Sequence, residues 1–312
     1  MSNFDITIAG EINLDLILYG LPGELPLEQE ILASGLEVTL GSSSAITAHN
    51  LAALGSRIGF ITRVGLDQLG AIALDRLRER GVDLGRITHS EKSQTGLTVL
   101  LTHGGPRHIL TYPGSMAEMS LAHLDVEYLK SARHFHLSSY FLHRALIPQI
   151  PSLFAELKQA GLTISLDTND DPSGQWADGI DRVLPYVDVL MPNEREACKL
   201  AGKEDFKDAV HSLLRDIPLL VVKRGAKGAT AFTSKEEVSV KAIPVEVVNP
   251  VGAGDSFNAG FLHKWTREKA LAECLAYGNL AAAFSTTKPG GTEAFRDANY
   301  WKAFLAAHAF PS

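Results

Sequence analysis

The stretch best equipped for chemistry is Asn249-Pro250-Val251-Gly252-Ala253-Gly254-Asp255-Ser256-Phe257-Asn258-Ala259-Gly260-Phe261. Gly252, Ala253 and Gly254 let backbone N–H groups crowd together with no bulky side chain in the way. A helical pattern begins directly after them, so those amides lie at the positive end of a helix, where an anion is favoured. Asp255 falls in the first turn of that helix. A carboxylate beside an anion site repels phosphate unless it takes part in chemistry or meets a metal. It can equally be a helix-capping aspartate after a glycine turn, and on spacing alone the two readings stand level.

Other chemical candidates are scattered along the chain. Asn193 and Glu196 open a helix after the strand 187–191. Three residues apart, they share a helical face and could jointly reach a hydrated magnesium ion, but the same pattern is a capping box. Lys223-Arg224-Gly225-Ala226-Lys227-Gly228 follows an apolar strand and is either a turn beside a nucleotide or a hairpin with solvated cations. It lacks the G-x-x-x-x-G-K-[ST] spacing and is no P-loop. Asp15, just past the first strand, is either a hydroxyl-binding carboxylate or a solvated turn residue. His134 and His136 share one face of a strand with no third ligand in view, so a metal site is not expected there.

The 249–255 segment resembles the C-terminal signature of the ribokinase/PfkB carbohydrate kinases, usually D-T-x-G-A-G-D. The resemblance implies that Gly252, Ala253 and Gly254 form an anion hole for a transferring phosphoryl group. It makes Asp255 the base that takes the proton from a sugar hydroxyl. Asn249 and Pro250 replace the usual Asp-Thr, whose Asp helps bind a monovalent cation in many members, so activation by potassium is expected to be weak or absent. Gly10-Glu11-Ile12-Asn13-Leu14-Asp15 resembles the family's first strand and turn, with Asp15 binding sugar hydroxyls.

Gly41-Ser42-Ser43-Ser44-Ala45-Ile46-Thr47-Ala48, continuing to Leu54-Gly55, resembles G-G-x-x-x-N-x-A-x-x-L-A-x-L-G. Substrate contacts are implied at Gly41 and Ser42, the latter in place of the second glycine. Ile46 replaces the asparagine that commonly contacts sugar and has no polar side-chain atom. Asn50, one helical turn later, is placed to take over that contact, a plain exposed helix position being the alternative. Asn193 and Glu196 match the family's N-x-x-E motif, implying nucleotide and magnesium contacts. Lys223, Gly225 and Gly228 resemble its ATP-binding loop, and Asn279 matches a position beside the adenine, with Gly290-Gly291 closing the pocket. Gly96, Arg107, Tyr112 and Gly114 resemble positions of a lid over the sugar. Asp167-Thr168-Asn169-Asp170-Asp171 resembles D-x-N-x-R with acids where an arginine is common, a hint of lower tolerance for an already phosphorylated acceptor.

These residues need a scaffold, and the apolar patterning supplies one. Strand-length runs at 4–10, 58–64, 133–138, 162–167, 188–191, 218–223 and 229–233 alternate with helical patterns. The helices are expected at 45–54, 67–80, 121–131, 145–160, 193–201, 205–215, 255–264, 270–286 and 297–308. Such alternation predicts a mainly parallel sheet covered by helices, and the resemblance makes it a ribokinase-like three-layer α/β sandwich formed as one domain over 1–312. Residues 12–40 and 94–113 break the rhythm with short extended segments at 16–19, 36–40, 97–102 and 108–112. They are expected to form a small antiparallel sheet, the lid, through which a homodimer could pair.

Composition narrows the function. With 312 residues, 45% hydrophobic and 21% charged, the chain reads as globular, and its formal charge of −7 with no basic cluster argues against nucleic acid as partner. Two cysteines, Cys198 and Cys274, are too few for a disulfide framework or a zinc site. No signal peptide or membrane-length apolar run is read, and a cytoplasmic location is expected. The reading is phosphoryl transfer from Mg-ATP to a hydroxymethyl group of a small free sugar. Its rivals are a nucleoside kinase or a sugar-phosphate kinase of the same fold, and a non-catalytic sensor of sugar or nucleotide.

Overall fold

The structure is a computed structural model and describes residues 3–103 and 107–308. Its strands are β1 (Phe4–Ala9), β2 (Asn13–Tyr19), β3 (Gly35–Gly41), β4 (Ile58–Ile61), β5 (Arg63–Gly65), β6 (Thr88–Ser90), β7 (Gly96–Thr102), β8 (Arg107–Tyr112), β9 (Ala132–Ser138), β10 (Thr163–Asp167), β11 (Val189–Leu190), β12 (Leu219–Lys223), β13 (Ala229–Phe232) and β14 (Glu237–Val240). Its helices are α1 (Ser43–Ala53), α2 (Gln68–Arg78), α3 (Val126–Leu129), α4 (Ile150–Gln159), α5 (Glu194–Ala201), α6 (Phe206–Leu213), α7 (Ala253–Trp265), α8 (Leu271–Ser285) and α9 (Ala298–Ala307).

An eight-stranded sheet in the order β14-β13-β12-β11-β10-β9-β1-β4 forms the middle layer. It is parallel from β4 to β12 and antiparallel through β13 and β14. Both faces are covered, which is why its strands read as unbroken apolar runs. In β12, Leu220 and Val222 enter one core while Leu219 and Val221 enter the other. The first core takes the apolar stripe Ile150, Leu153, Phe154 and Leu157 of α4, at helical spacing. The second core takes α1, α2, α7 and α8. α7 and α8 approach closely at Gly260, where a Cβ would stand 2.6 Å from the Tyr277 carbonyl oxygen.

A second sheet, β3-β2-β7-β8, forms the lid. It is mixed, not antiparallel as expected, because β2 and β7 run parallel across a long connection. Alternation puts Asn13, Asp15, Ile17 and Tyr19 on one face of β2. Two further expectations are corrected. The run 58–64 divides into β4 and β5, which belong to different sheets. The segment 121–131 holds only a 3₁₀ turn and the four-residue α3. β6 and β14 are short or half-exposed and gave no apolar signal. Among the described residues no helix is long and apolar enough to cross a membrane.

Candidate active site

The carboxyl ends of β1, β10 and β12 converge with the start of α7 under the lid. Gly252, with φ of 74°, turns the chain into α7. An L side chain is disfavoured at that angle, and a Cβ there would also strike Gly291 Cα at 2.4 Å. The first amides of α7 have no partner inside the helix, and Asp255 stands in that first turn, buried. Gly252 and not Asp255 is the N-cap of α7, and Asp255 stands at the third helical position, so the N-cap reading of Asp255 is not realised.

Lys223, at the end of β12, forms an ion pair with the fully buried Asp167 at the end of β10. Its Nζ would lie 3.7 Å from a Cβ built on Gly254, so the cation stands against the glycine turn. Burial opposes the Lys223 charge, but Asp167 and Glu196 outweigh it and raise the amine above its usual range. Asn258, one turn after Asp255, donates from Nδ2 to Asp167 Oδ2 at 2.5 Å. Burial and then the Asp167 charge push Asp255 up to about 7, against the pull of Lys223 and the Ser43 hydroxyl. Such a carboxyl is poised to accept a proton near neutral pH.

Asp15 reaches the site from the lid. Burial and the Asp255 charge raise it to about 7, with Arg107 of β8 opposing. Gly41 is obligatory beside it: a Cβ there would sit 2.1 Å from Asp15 Oδ1 and 2.2 Å from Asn13 Oδ1. Asn13 Nδ2 donates to Thr98 Oγ1 at 2.8 Å, while Asn13 Oδ1 is buried without a partner. Gly96 pairs with Asn13 across β2 and β7, and a Cβ on it would crowd the Pro113 carbonyl at 2.9 Å. Ser42 keeps the backbone of the glycine it replaces, with φ of 68°. Glu11, fully buried, accepts from Ser44 Oγ at 2.6 Å and Ser139 Oγ at 2.8 Å and contacts His143 Nε2 at 3.1 Å. Burial opposes its ionisation, but His143 and Ser44 outweigh that and hold it below the usual range.

One expected role is corrected. Asn50 is buried, and its amide donates to Ser256 Oγ and to the Gly291 carbonyl, both at 2.9 Å, while Oδ1 meets His49 Nδ1. It fastens α1 to α7 and leaves no amide hydrogen for an acceptor. Asn279 lines the cleft beside Gly254 and Phe257, and its amide donates to the carbonyls of Val240 and Lys241 at 3.0 and 3.1 Å, which fixes the wall there. Asn193 and Glu196 do form the capping box: Asn193 Oδ1 accepts from the Glu196 amide at 2.9 Å, and Glu196 Oε2 from the Asn193 amide at 2.8 Å. Glu196 is nonetheless buried, raised by desolvation and by Asp167, and its Oε1 makes no cap.

A cleft of about 450 Å³ lies against the glycine turn, with Pro250, Ala253 and Gly254 in its lining. Lys223, Gly225, Gly228, Gly254, Phe257 and Asn279 line it, with Ala242, Pro244 and Thr286 opposite. Gly225 and Gly228 have φ of 56° and 98°, and a Cβ on Gly228 would meet the Val240 carbonyl at 2.1 Å. Arg224 and Lys227 instead pair with Glu194. Among the described residues no group of three or more metal-ligating side chains stands together. The residues therefore fit magnesium through water at Glu196 Oε1 and not as a protein cage.

Sequence reasoning missed three contributors. Asp167 was visible as an acid ending a strand, where open α/β sheets place their ligands, but its partner Lys223 is distant in sequence. Asn258 is signalled only by its i+3 spacing from Asp255. Glu11 lay inside a quoted motif without a role. His134 and His136 are fully buried and joined through Ser165 Oγ at 2.7 Å each, and burial pushes both imidazoles below their usual range.

A helix-start anion site, a carboxylate in its first turn and a sheet folded over both define a ribokinase-like phosphotransferase. The chain belongs to the pfkB family of carbohydrate kinases, whose model matches residues 4–298. It is similar to ribokinase of Haemophilus influenzae, 26% identical over 306 residues, covering 91% of this chain and 93% of that one. It is also similar to cytidine kinase of Thermococcus kodakarensis, 28% identical over 278 residues, 85% of this chain and 93% of that one. A provisionally named ribokinase II of Escherichia coli, solved with ATP and Mg2+, superposes with a TM-score of 0.85 at 26% identity, covering 98% of this chain and 100% of that one.

Proposed function

We propose that this chain, acting over 1–312 as one unit with 12–40 and 94–113 as its lid, transfers the γ-phosphoryl group of Mg-ATP to a hydroxymethyl group of a small, uncharged sugar. The observation that carries the reading is the buried Asp255 at the first turn of α7, between the glycine turn and Asp15. The acceptor oxygen attacks the γ-phosphorus and its proton passes to the Asp255 carboxylate. The bond from phosphorus to the β-phosphate oxygen breaks and ADP departs. Lys223 and the amides of Gly252 and Gly254 offset charge on the transferring group, the Ala253 amide being held by the Pro250 carbonyl at 3.3 Å, and this is the main task a protein has in this chemistry. Magnesium supplies charge neutralisation of the phosphates when bound. Asp15 binds acceptor hydroxyls, and the lid excludes water that would otherwise consume ATP.

Two features favour a free sugar over the rival acceptors. Asp15, Asp255, Asp167 and Glu11 make the acceptor side acidic, and Lys223 is already paired with Asp167. A second phosphate on the acceptor would meet like charge there. Ile46, which a nucleoside base would need as an open wall, packs its Cδ1 against the backbone of Gly252 and Gly291. A panel of sugars, nucleosides and sugar phosphates, read as ADP formed, tests the proposal. Turnover with free sugars is expected. Efficient turnover confined to nucleosides or phosphorylated sugars contradicts it.

A further inference from the structure

Asn249 stands where the family's usual aspartate would be, and both polar atoms of its side chain are hydrogen-bonded. It is 4% exposed. Nδ2 donates to the Tyr19 hydroxyl at 3.1 Å, and Oδ1 accepts from the Val251 amide at 2.8 Å. Its own amide donates to the Thr286 carbonyl at 3.2 Å. Asn249 thus pins the turn that becomes 252–254 from one side and grips the lid from the other. Tyr19 is the last residue of β2, and strand alternation places it on the same lid face as Asp15. A movement that brings Asp15 onto the acceptor therefore carries the Tyr19 hydroxyl toward Asn249 on the same rigid strand. At the root of the lid, Thr39 Oγ1 donates to Glu293 Oε1 at 3.3 Å, a second tie that leaves the strand tip to Tyr19.

We infer that the Tyr19–Asn249 hydrogen bond is a latch that transmits lid closure to the glycine turn, making Tyr19 a positioning residue for phosphoryl transfer. The inference rests on the kinase reading above for its purpose, but not for its geometry. With the lid down, the latch holds the 250–254 backbone in the shape that receives the phosphoryl group. With the lid raised, Asn249 keeps only its local bonds and the turn loosens, so transfer is conditional on an acceptor under the lid.

Amide hydrogen exchange of the full-length protein at 251–254 is the direct readout, since it needs no turnover. Tyr19→Phe removes one hydroxyl and nothing else. Exchange there should quicken roughly three- to tenfold, the range one net hydrogen bond supports, with the rest of α7 unchanged. Asn249→Asp reverses the bond, the Tyr19 O–H now donating, but keeps an acceptor for the Val251 N–H, and it should retain wild-type exchange. In an Asn249→Ala background, Tyr19→Phe should add nothing, the signature of a coupled pair. In the kinase assay kcat should fall by a similar factor while the KM for ATP holds. Unchanged exchange at 251–254 in Tyr19→Phe overturns the latch whatever the activity. The predicted exchange pattern in a protein that phosphorylates none of the sugars, nucleosides or sugar phosphates tried sustains the latch and overturns the kinase reading alone.

Discussion

The Asp15 and Asp255 carboxyls approach each other from opposite structural units, lid and body, and the charge of Asp255 opposes ionisation of Asp15. Both are raised to about 7, burial being the larger cause in each. Burial thus holds both carboxyls toward their protonated forms near neutrality, and the Asp255 charge adds to this at Asp15.

This sets the pH dependence. The base must be ionised to act, so kcat/KM should be maximal above about 7 and fall as pH drops through that value. Stability should run the other way. A folded value above the unfolded one means that ionisation opposes folding, a cost absent below about 3.8 and growing until about 7. Asp255→Asn should thus stabilise the fold at pH 8 by an amount on the order of 1–4 kcal/mol, with little gain at pH 4. Denaturant melts at both pH values measure it, and equal effects at the two would refute the burial argument.

Glu196→Gln separates cap from metal contact. Glutamine still accepts the Asn193 amide in a capping box, so a purely structural Glu196 would tolerate it. If Glu196 Oε1 meets hydrated magnesium, the magnesium concentration for half-maximal rate should rise by roughly tenfold, as for outer-sphere partners. Magnesium titrations of the two proteins decide.

Potassium should activate weakly or not at all, because Asn249 offers no carboxylate and both polar atoms of its side chain are bonded within the protein. Rates in potassium and in tetramethylammonium at equal ionic strength should agree within about twofold, less than ~0.5 kcal/mol of barrier. A large potassium effect would place a cation on backbone carbonyls instead.

The lid face opposite Asp15 carries Leu36, Val38 and Leu110, exposed by 59%, 41% and 56%. Leu16, Leu18 and Val99 continue that face by register. An apolar sheet face of this kind is best covered by a second copy, so light scattering should report a homodimer. Val38→Glu with Leu110→Glu should yield monomer. A wild-type monomer at micromolar concentration would contradict lid pairing.

Much of this site was legible in the sequence because its parts are local. The glycine turn, Asp255 and the start of α7 are contiguous, and so are Gly225, Gly228 and the turn they shape. The main strands were legible because burial on both faces leaves an unbroken apolar run. What escaped was non-local or double-valued. The Asp167–Lys223 pair joins residues 56 apart in sequence. Asn50 looked available on helix α1 until packing against α7 consumed its amide. The parallel β2–β7 pairing depends on a crossover that strand patterns do not encode.

The central claim is that Asp255 is the base and not a cap. Asp255→Asn keeps the shape and a side-chain oxygen while removing the charge and the basicity. Turnover with the preferred acceptor should drop by roughly 10²–10⁴-fold, the usual contribution of a positioned general base, with ATP affinity retained. A folded Asp255→Asn protein turning over at near wild-type rate would contradict the account.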